Sequence, residues 1–312
     1  MRDLPLLGDG DRLGTTDPEA DARVTMPKVF AASLSAAAAA LVFASWSAAA
    51  GNPEIAALQV GLRNRGLYAG TVDGVLGPGT ENALRSFQRR VGLAPDGVPG
   101  PSTRKALGRY GWRAPLGRRA LALGSRGWDV AALQFALAWH GFPSGTFDGA
   151  FGPHTDAAAR RFQRWAGLTV DGHAGPAMIA ALARPPARCP LRLDRPLEGP
   201  IGSPFGPRGG GFHEGIDIIA PAGVGVAAAG AGRVAWAGWR GGGWGELVMI
   251  AHADHVRTLY AHLSRIEVRL GQRVGAGFEV GRVGATGDAS GPHLYFEVRV
   301  RGAAVDPLTG LR

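Results

Sequence analysis

The chain has 312 residues, 46% hydrophobic and 19% charged, which fits two or three globular units and excludes a disordered polymer. Its formal net charge of +9 suits an anionic partner, but nearly all of the base is arginine, the only lysines being Lys28 and Lys105. No dense basic run interleaved with aromatics occurs, so nucleic acid is not an expected partner. Cys189 stands alone, which rules out an intramolecular disulfide and a Cys/His zinc finger.

Residues 1–25 are acidic and Gly-rich. They precede "KVFAASLSAAAAALVFASWSAAAGN", which runs from a lysine through an uncharged stretch to small residues at Ala48 and Ala50. That order is the layout of a secretory signal over 26–50 with cleavage before Gly51. Met26 is the expected true start, and 1–25 an extension outside the mature protein. The same stretch is also long enough to anchor in a bilayer, at about 20 residues, although its alanine and serine content favours cleavage. Either outcome puts the chain from Gly51 onward outside the cytoplasmic membrane, as a secreted or wall-associated protein.

Shifting the chain by 75 positions aligns the segment from Ala57 with the one from Ala132 without a gap, and roughly half the positions are identical. A duplicated unit of that size is a small domain. Leu58 and Leu62, like Leu133 and Leu137, lie one helical turn apart. Thr80 and Thr155 are placed to cap the next helix, whose apolar stripe includes Phe87 or Phe162. The Asp-Gly pairs at Asp73, Asp96, Asp148 and Asp171 mark turns. Each copy therefore reads as a three-helix unit, at 51–110 and 125–184, with a linker at 111–124. Both copies resemble the peptidoglycan-binding module, following its LQ…G…DG…T…FQ…GL..DG..G pattern. The resemblance implies that they bind cell-wall glycan or its stem peptides.

A Pro-rich linker, 185–200, is expected to be an extended hinge. From Ile201 to the end, short apolar segments separated by glycine predict an antiparallel, curled β-domain: "VGVAAAGAGRVAWAGW", "ELVMIAH", "VRTLYAHL", "GFEVGRVG" and "HLYFEVRV". The fold class is multidomain α plus β, two helical repeats followed by this sheet.

Five of the eight histidines fall in the β-domain: His213, His252, His255, His262 and His293. His213 and Asp217 in "FHEGIDI" are an even offset apart, so an extended segment puts both side chains on one side. His and Asp suit Zn²⁺, which in catalytic sites takes three protein ligands and a water. In "SGPHLYFEV", His293 and Tyr295 likewise share a strand face.

The segments "SPFGPR", "HEGIDI", "LYAHLS", "ATGDASGPHLYFEV" and "VDPL", in that order, resemble the lysostaphin/LytM-type zinc metalloendopeptidases of peptidoglycan over 201–312. The resemblance implies Zn²⁺ held by His213, Asp217 and the second His of an H-x-H motif, with His262 and His293 as catalytic residues acting on the water and the oxyanion. Here the second His of the motif is Tyr295.

Three readings compete for that position. A metal-bound phenolate completes the site, at about 4 kcal/mol to ionise the phenol at pH 7; or His252 or His255 completes it; or the site is degenerate. The expected function is hydrolysis of peptide bonds in the stem or cross-bridge of peptidoglycan by zinc-activated water, from a monomer. The alternative is a catalytically degenerate wall-binding protein of the same fold that supports another hydrolase. A lipoyl-type carrier is excluded because no lysine follows Lys105. No G-x-S-x-G elbow or phosphate loop is present.

Overall fold

The computed structural model describes residues 51–108 and 116–312, all within one compact unit. The extension 1–25, the expected signal at 26–50 and part of the first linker lie outside the described residues. Six helices come first: α1 (Pro53–Arg63), α2 (Pro78–Arg90), α3 (Pro101–Ala106), α4 (Trp128–Trp139), α5 (Pro153–Ala166) and α6 (Pro176–Leu182). Five of them open on proline, whose fixed φ and missing N–H suit a first turn. Asn52 caps α1, its Oδ1 accepting from the Glu54 N–H at 2.7 Å.

Thr80 and Thr155 are not the caps they resemble, since the cap positions of α2 and α5 are Gly77 and Gly152. Their hydroxyls serve a buried latch instead. Gln59 Nε2 donates to Asp73 Oδ1 at 2.7 Å, to Val75 O at 3.1 Å and to Thr80 Oγ1 at 3.1 Å. Gln59 Oε1 accepts from the Gly74 N–H at 2.9 Å, and Gly74 turns at φ +73°, where glycine carries no steric cost. The same latch recurs at Gln134 with Asp148 and Thr155, and at Gln88 with Asp96 and Thr103. Gln163 bonds Asp171 and His173 O. The repeated Gln and Thr side chains are thus buried polar groups, matched by one another and by the more exposed Asp of each Asp-Gly turn.

The two copies share one hydrophobic core, α1 lying against α4, with Leu58, Leu62, Phe87, Phe135 and Phe162 all at 0–1% exposure. Burying each aromatic ring contributes roughly 2–3 kcal/mol. Trp128 Nε1 donates to the buried carboxylate of Glu54 across the interface between copies. Among the described residues, no helix is long and apolar enough to cross a membrane.

The C-terminal part is an antiparallel sheet whose main path runs β1 (Ile201–Ser203), β4 (Ile216–Ile219), β11 (His293–Val300), β8 (Val256–Ile266), β7 (Gly245–Ala251), β6 (Gly232–Arg240), β9 (Arg273–Val274). β10 (Glu279–Val283) pairs with β5 (Gly225–Ala227) and β8, and β12 (Ala303–Val305) with β11. A separate hairpin joins β2 (Gly206–Arg208) to β3 (Gly211–His213). Each apolar run picked out by alternation carries one of these strands, except the first, which carries both β5 and β6.

The segment expected to be a hinge is packed. Cys189, Leu193 and Leu197 are buried in the β-domain core, and Leu193 bridges Leu311 in parallel. The Asp194 N–H bonds Ala229 O at 2.7 Å, and Pro196 O accepts from Ala227. Proline leaves such a segment few donors of its own, so borrowing bonds from β5 and its flank satisfies it better than solvent exposure of its leucines.

Candidate metal centre

His213 ends β3 and Asp217 lies in β4, so a bend at Glu214 and Gly215 joins them rather than one straight segment. The pair still meets, Nε2 to Oδ1 at 3.2 Å. On β11, Tyr295 lies opposite Asp217 and His293 opposite Ile219. Leu294 and Phe296 are fully buried on the other face, as the period-2 pattern requires. His262 sits in β8, where the chain takes φ +61° at a non-glycine residue, a conformation that costs energy and persists only where surrounding structure holds it. Its ring lies 4.9 Å from that of His293.

Each of the three imidazoles has one ring nitrogen on a backbone carbonyl. His213 Nδ1 bonds Pro204 O at 2.9 Å, His262 Nδ1 bonds Thr286 O at 2.8 Å and His293 Nδ1 bonds Gly291 O at 2.8 Å. A carbonyl only accepts, so the proton is assigned to Nδ1 and the Nε2 of a neutral ring carries a lone pair. Metal-ligating histidines are oriented in this way. Burial, together with the neighbouring His293, holds the His262 imidazole below its usual range.

Asp217 Oδ1 is buried and has no hydrogen-bond partner, although two imidazole nitrogens approach it: His213 Nε2 at 3.2 Å and His293 Nε2 at 3.7 Å. The short contact is a hydrogen bond only if His213 is doubly protonated. On a neutral ring it sets two lone pairs face to face, an arrangement that a cation between them resolves. Two ligands of one tetrahedral Zn²⁺ with bonds near 2.0–2.1 Å lie about 3.3 Å apart, which the 3.2 Å spacing matches. Burial pushes the Asp217 carboxyl up, but His213, His293 and Arg208 together hold it below the usual carboxylate range, so it is ionised at neutral pH. Among the described residues, no group of three His, Cys, Asp or Glu closes to full metal-binding spacing. The described residues therefore bring together two donors at a ligand-like spacing, short of a full metal-binding group.

Tyr295 does not supply a third donor in this conformation. Its hydroxyl donates to Glu297 Oε2 at 2.8 Å, and Glu297, at 0% exposure, is also bonded by Arg299 Nε. Arg299 in turn faces Glu214 at 3.6 Å. Burial, Glu297 and Glu214 push the Tyr295 phenol well above its usual range, so without a cation it keeps its proton. The ring walls the site instead, edge-on to His213 and Trp244 with centroids 5.4 Å apart in each case. Tyr295, Glu297 and Arg299 alternate along β11, a period-2 polar face that the letters carry and that sequence reasoning missed.

The site opens as a cavity of about 300 Å³, lined by the three histidines, Asp217 and Tyr295, with Arg208, Trp244, Asp288 and Ser290 at its rim. Neither His252 nor His255 reaches it. His252 is held by Ala231 O at 2.8 Å and Thr258 Oγ1 at 2.7 Å, and His255 occupies a turn at φ +56°.

The helical repeats hold the hairpin that carries His213. The Val72 N–H bonds Gly209 O at 2.9 Å and the Phe147 N–H bonds Gly210 O at 2.6 Å, one contact from each copy. Trp139 of α4 packs edge-on against Phe205 and Phe212, with centroids 6.1 Å and 5.3 Å away. The loop between β2 and β3 is thus clamped by the repeats.

Comparison with known proteins agrees with this division of the chain. Residues 211–307 match Peptidase family M23, and residues 51–107 and 126–182 each match a peptidoglycan binding domain. The chain thus carries a family M23 peptidase domain behind two peptidoglycan-binding repeats. Among curated relatives, the DD-carboxypeptidase/endopeptidase Mpg of Neisseria meningitidis is 46% identical over 98 residues, 31% of this chain and 22% of that protein. The murein hydrolase activator NlpD of Salmonella typhimurium is 40% identical over 104 residues, 33% of this chain and 27% of NlpD. The chain therefore spans about a quarter of the length of these relatives. Among solved structures, the catalytic domain of the antimicrobial peptidase lysostaphin from Staphylococcus simulans shares 34% identity, covering 35% of this chain and 90% of that one, with a TM-score of 0.34. A zinc containing peptidase from Vibrio cholerae shares 36% identity, covering 36% of this chain and 37% of that one, with a TM-score of 0.34.

Proposed function

We propose that the protein is a wall-bound endopeptidase of peptidoglycan, working outside the cytoplasmic membrane, whose site is completed by a divalent cation. The observation that supports this most is the buried, unpartnered Asp217 Oδ1 beside the lone pair of His213 Nε2. His213 and Asp217 would hold the cation, with His293 Nε2 as the third donor in place of Tyr295. Imidazole and carboxylate donors favour zinc, which would supply Lewis acidity and a water of lowered pKa. His262, held on Thr286 O through Nδ1, presents Nε2 to accept a proton from the attacking water and to return it to the departing amine nitrogen. Trp244 and Tyr295 wall the site, keeping part of it from bulk water.

Tyr295 favours a second reading. A protonated phenol where the metallopeptidase motif has histidine, tied to Glu297, is what a site that has given up catalysis would show, and the relative NlpD carries the name of an activator. Incubating the full chain with purified wall and zinc, then measuring released soluble fragments, separates the two. Release by the wild type that is lost in Asp217→Ala supports the endopeptidase. No release, with wall binding intact and a partner hydrolase stimulated on addition of the chain, supports the activator.

A further inference from the structure

A second cavity lies where repeat and β-domain meet. Docking there is close: Gly141 O accepts from the Ala304 N–H at 3.2 Å, and a Cβ on Gly141 would lie 2.2 Å from Ala304 O. Beside this contact, Arg161, Arg164 and Trp165 of α5 face Arg301 and Gly302 of the β11–β12 turn around a cavity of about 260 Å³. Through Arg301 and Gly302 it adjoins a second space of about 600 Å³, whose lining includes Arg257 and Arg299.

The charges are unbalanced. Arg299 is paired with Glu297 and Glu214, but Arg161, Arg164, Arg257 and Arg301 make no ion pair within 4.0 Å among the described residues, Glu214 attracting Arg161 only from farther off. The guanidiniums of Arg161 and Arg301 bond backbone carbonyls instead, Pro143 O at 2.9 Å and Trp165 O at 3.3 Å. Asp254 is the only carboxylate lining either space among the described residues. Arg301 is also held in place, its N–H on His255 O at 3.0 Å and its guanidinium 5.9 Å from the Trp165 ring. Guanidiniums around a concavity nearly free of carboxylates, two of them held on backbone carbonyls, leave positive charge for a ligand to neutralise.

We propose that this composite cleft is a second wall-contact site, taking the carboxylate-bearing stem peptides of peptidoglycan. The inference rests on the wall-directed reading above. The planar guanidinium fork matches a carboxylate in two parallel hydrogen bonds. The cations are spread along two joined spaces rather than converging on one point, which suits separated carboxylates on a peptide better than a single phosphate. Trp165, packed on Phe142 at 5.9 Å, gives small apolar side chains a surface between the charges. The smaller space exists only because repeat and β-domain dock, while the larger is lined by the β-domain alone. Arg299 lies at its edge and reaches Tyr295 through Glu297, so an occupant adjoins the network behind the metal centre.

The test uses the full chain, titrated calorimetrically with a soluble muramyl peptide bearing free carboxylates and with its methyl ester. The expected result is binding of the acid that weakens at least about tenfold on esterification, and about tenfold in each of Arg164→Gln and Arg301→Gln. Circular dichroism checks that the variants stay folded, and Arg89→Gln, at the position of Arg164 in the first copy, is expected to bind as wild type. Equal binding of acid and ester, unchanged binding in both variants, or displacement of the peptide by inorganic phosphate at equal concentration overturns the proposal. Sedimentation with insoluble wall reports the broader reading separately. A wild type that sediments but shows no carboxylate preference sinks the cleft alone, and one that does not sediment sinks the wall-directed reading itself.

Discussion

The glutamine latches of the repeats and the histidine site of the β-domain are both made of buried polar groups, but only the latches are complete. Gln59 has its amide nitrogen and oxygen matched by Asp73, Thr80 and backbone partners. Asp217 Oδ1 is also enclosed, but its nearest groups, His213 Nε2 at 3.2 Å and His293 Nε2 at 3.7 Å, make no hydrogen bond to it. A saturated buried polar group holds a fold together, whereas an unsaturated one costs roughly 1–3 kcal/mol and persists where something outside the chain completes it. Unmatched buried atoms also occur in the second repeat, at Trp139 Nε1, Ser144 Oγ and Trp165 Nε1; what sets Asp217 apart is the pair of imidazole nitrogens that converge on it.

Breaking each side should give different results. Asp217→Ala is expected to lower wall hydrolysis more than about a hundredfold and, in the cation-free protein, to lower the melting temperature slightly, because Arg208, His213 and His293 lose their carboxylate partner. Gln134→Ala is expected to lower stability by about 3–4 kcal/mol in denaturant titration, since Asp148, Thr155 and two N–H groups lose their partner together. Its effect on cation affinity should be small.

A further contrast comes from His140, buried against Phe162 with Nε2 on Leu182 O at 2.9 Å. Burial pushes its pKa down to about 4 from 6.5, so between those values the unfolded chain binds the extra proton. Stability is then full above pH 6.5 and falls as pH drops towards 4, by about 3 kcal/mol in all. His140→Phe should flatten that part of the pH profile. Tyr295→His, which restores an imidazole next to Asp217, is expected to tighten zinc binding about tenfold by competition with a chelating dye. At the small end, Glu81→Ala removes only an exposed partner of Arg85 at 3.7 Å and should change stability by less than about 0.5 kcal/mol in denaturant titration.

Much of the architecture was legible because regular structure writes itself in local periods. The helical stripes around Leu58 and Phe87 and the alternation of Leu294 and Phe296 are local signals, and the structure places them as those periods demand. His213, Asp217, His262 and His293 also stand out by residue type and spacing, and the fold gathers them around one cavity. What the letters hid were choices between partners. Thr80 reads as a cap until Gln59, distant in sequence, donates to its hydroxyl and Val75 O accepts from it. The Pro-rich segment reads as a hinge until Leu193 and Leu197 find a sheet to cover. The strand face of Tyr295 is legible, but the direction of its hydroxyl, which donates to Glu297 two residues on, depends on the charges around it and is not. The docking of the repeats on the hairpin between β2 and β3 leaves no local signal, being made of backbone bonds to Gly209 and Gly210.

The most direct test is a zinc titration of the purified, chelator-stripped full chain, read by calorimetry and by metal analysis after dialysis. One zinc per chain in the wild type, and none in Asp217→Ala, is the result expected if the unmatched oxygen of Asp217 is completed by a cation. Zinc absent from the wild type, or bound equally well without Asp217, would contradict it.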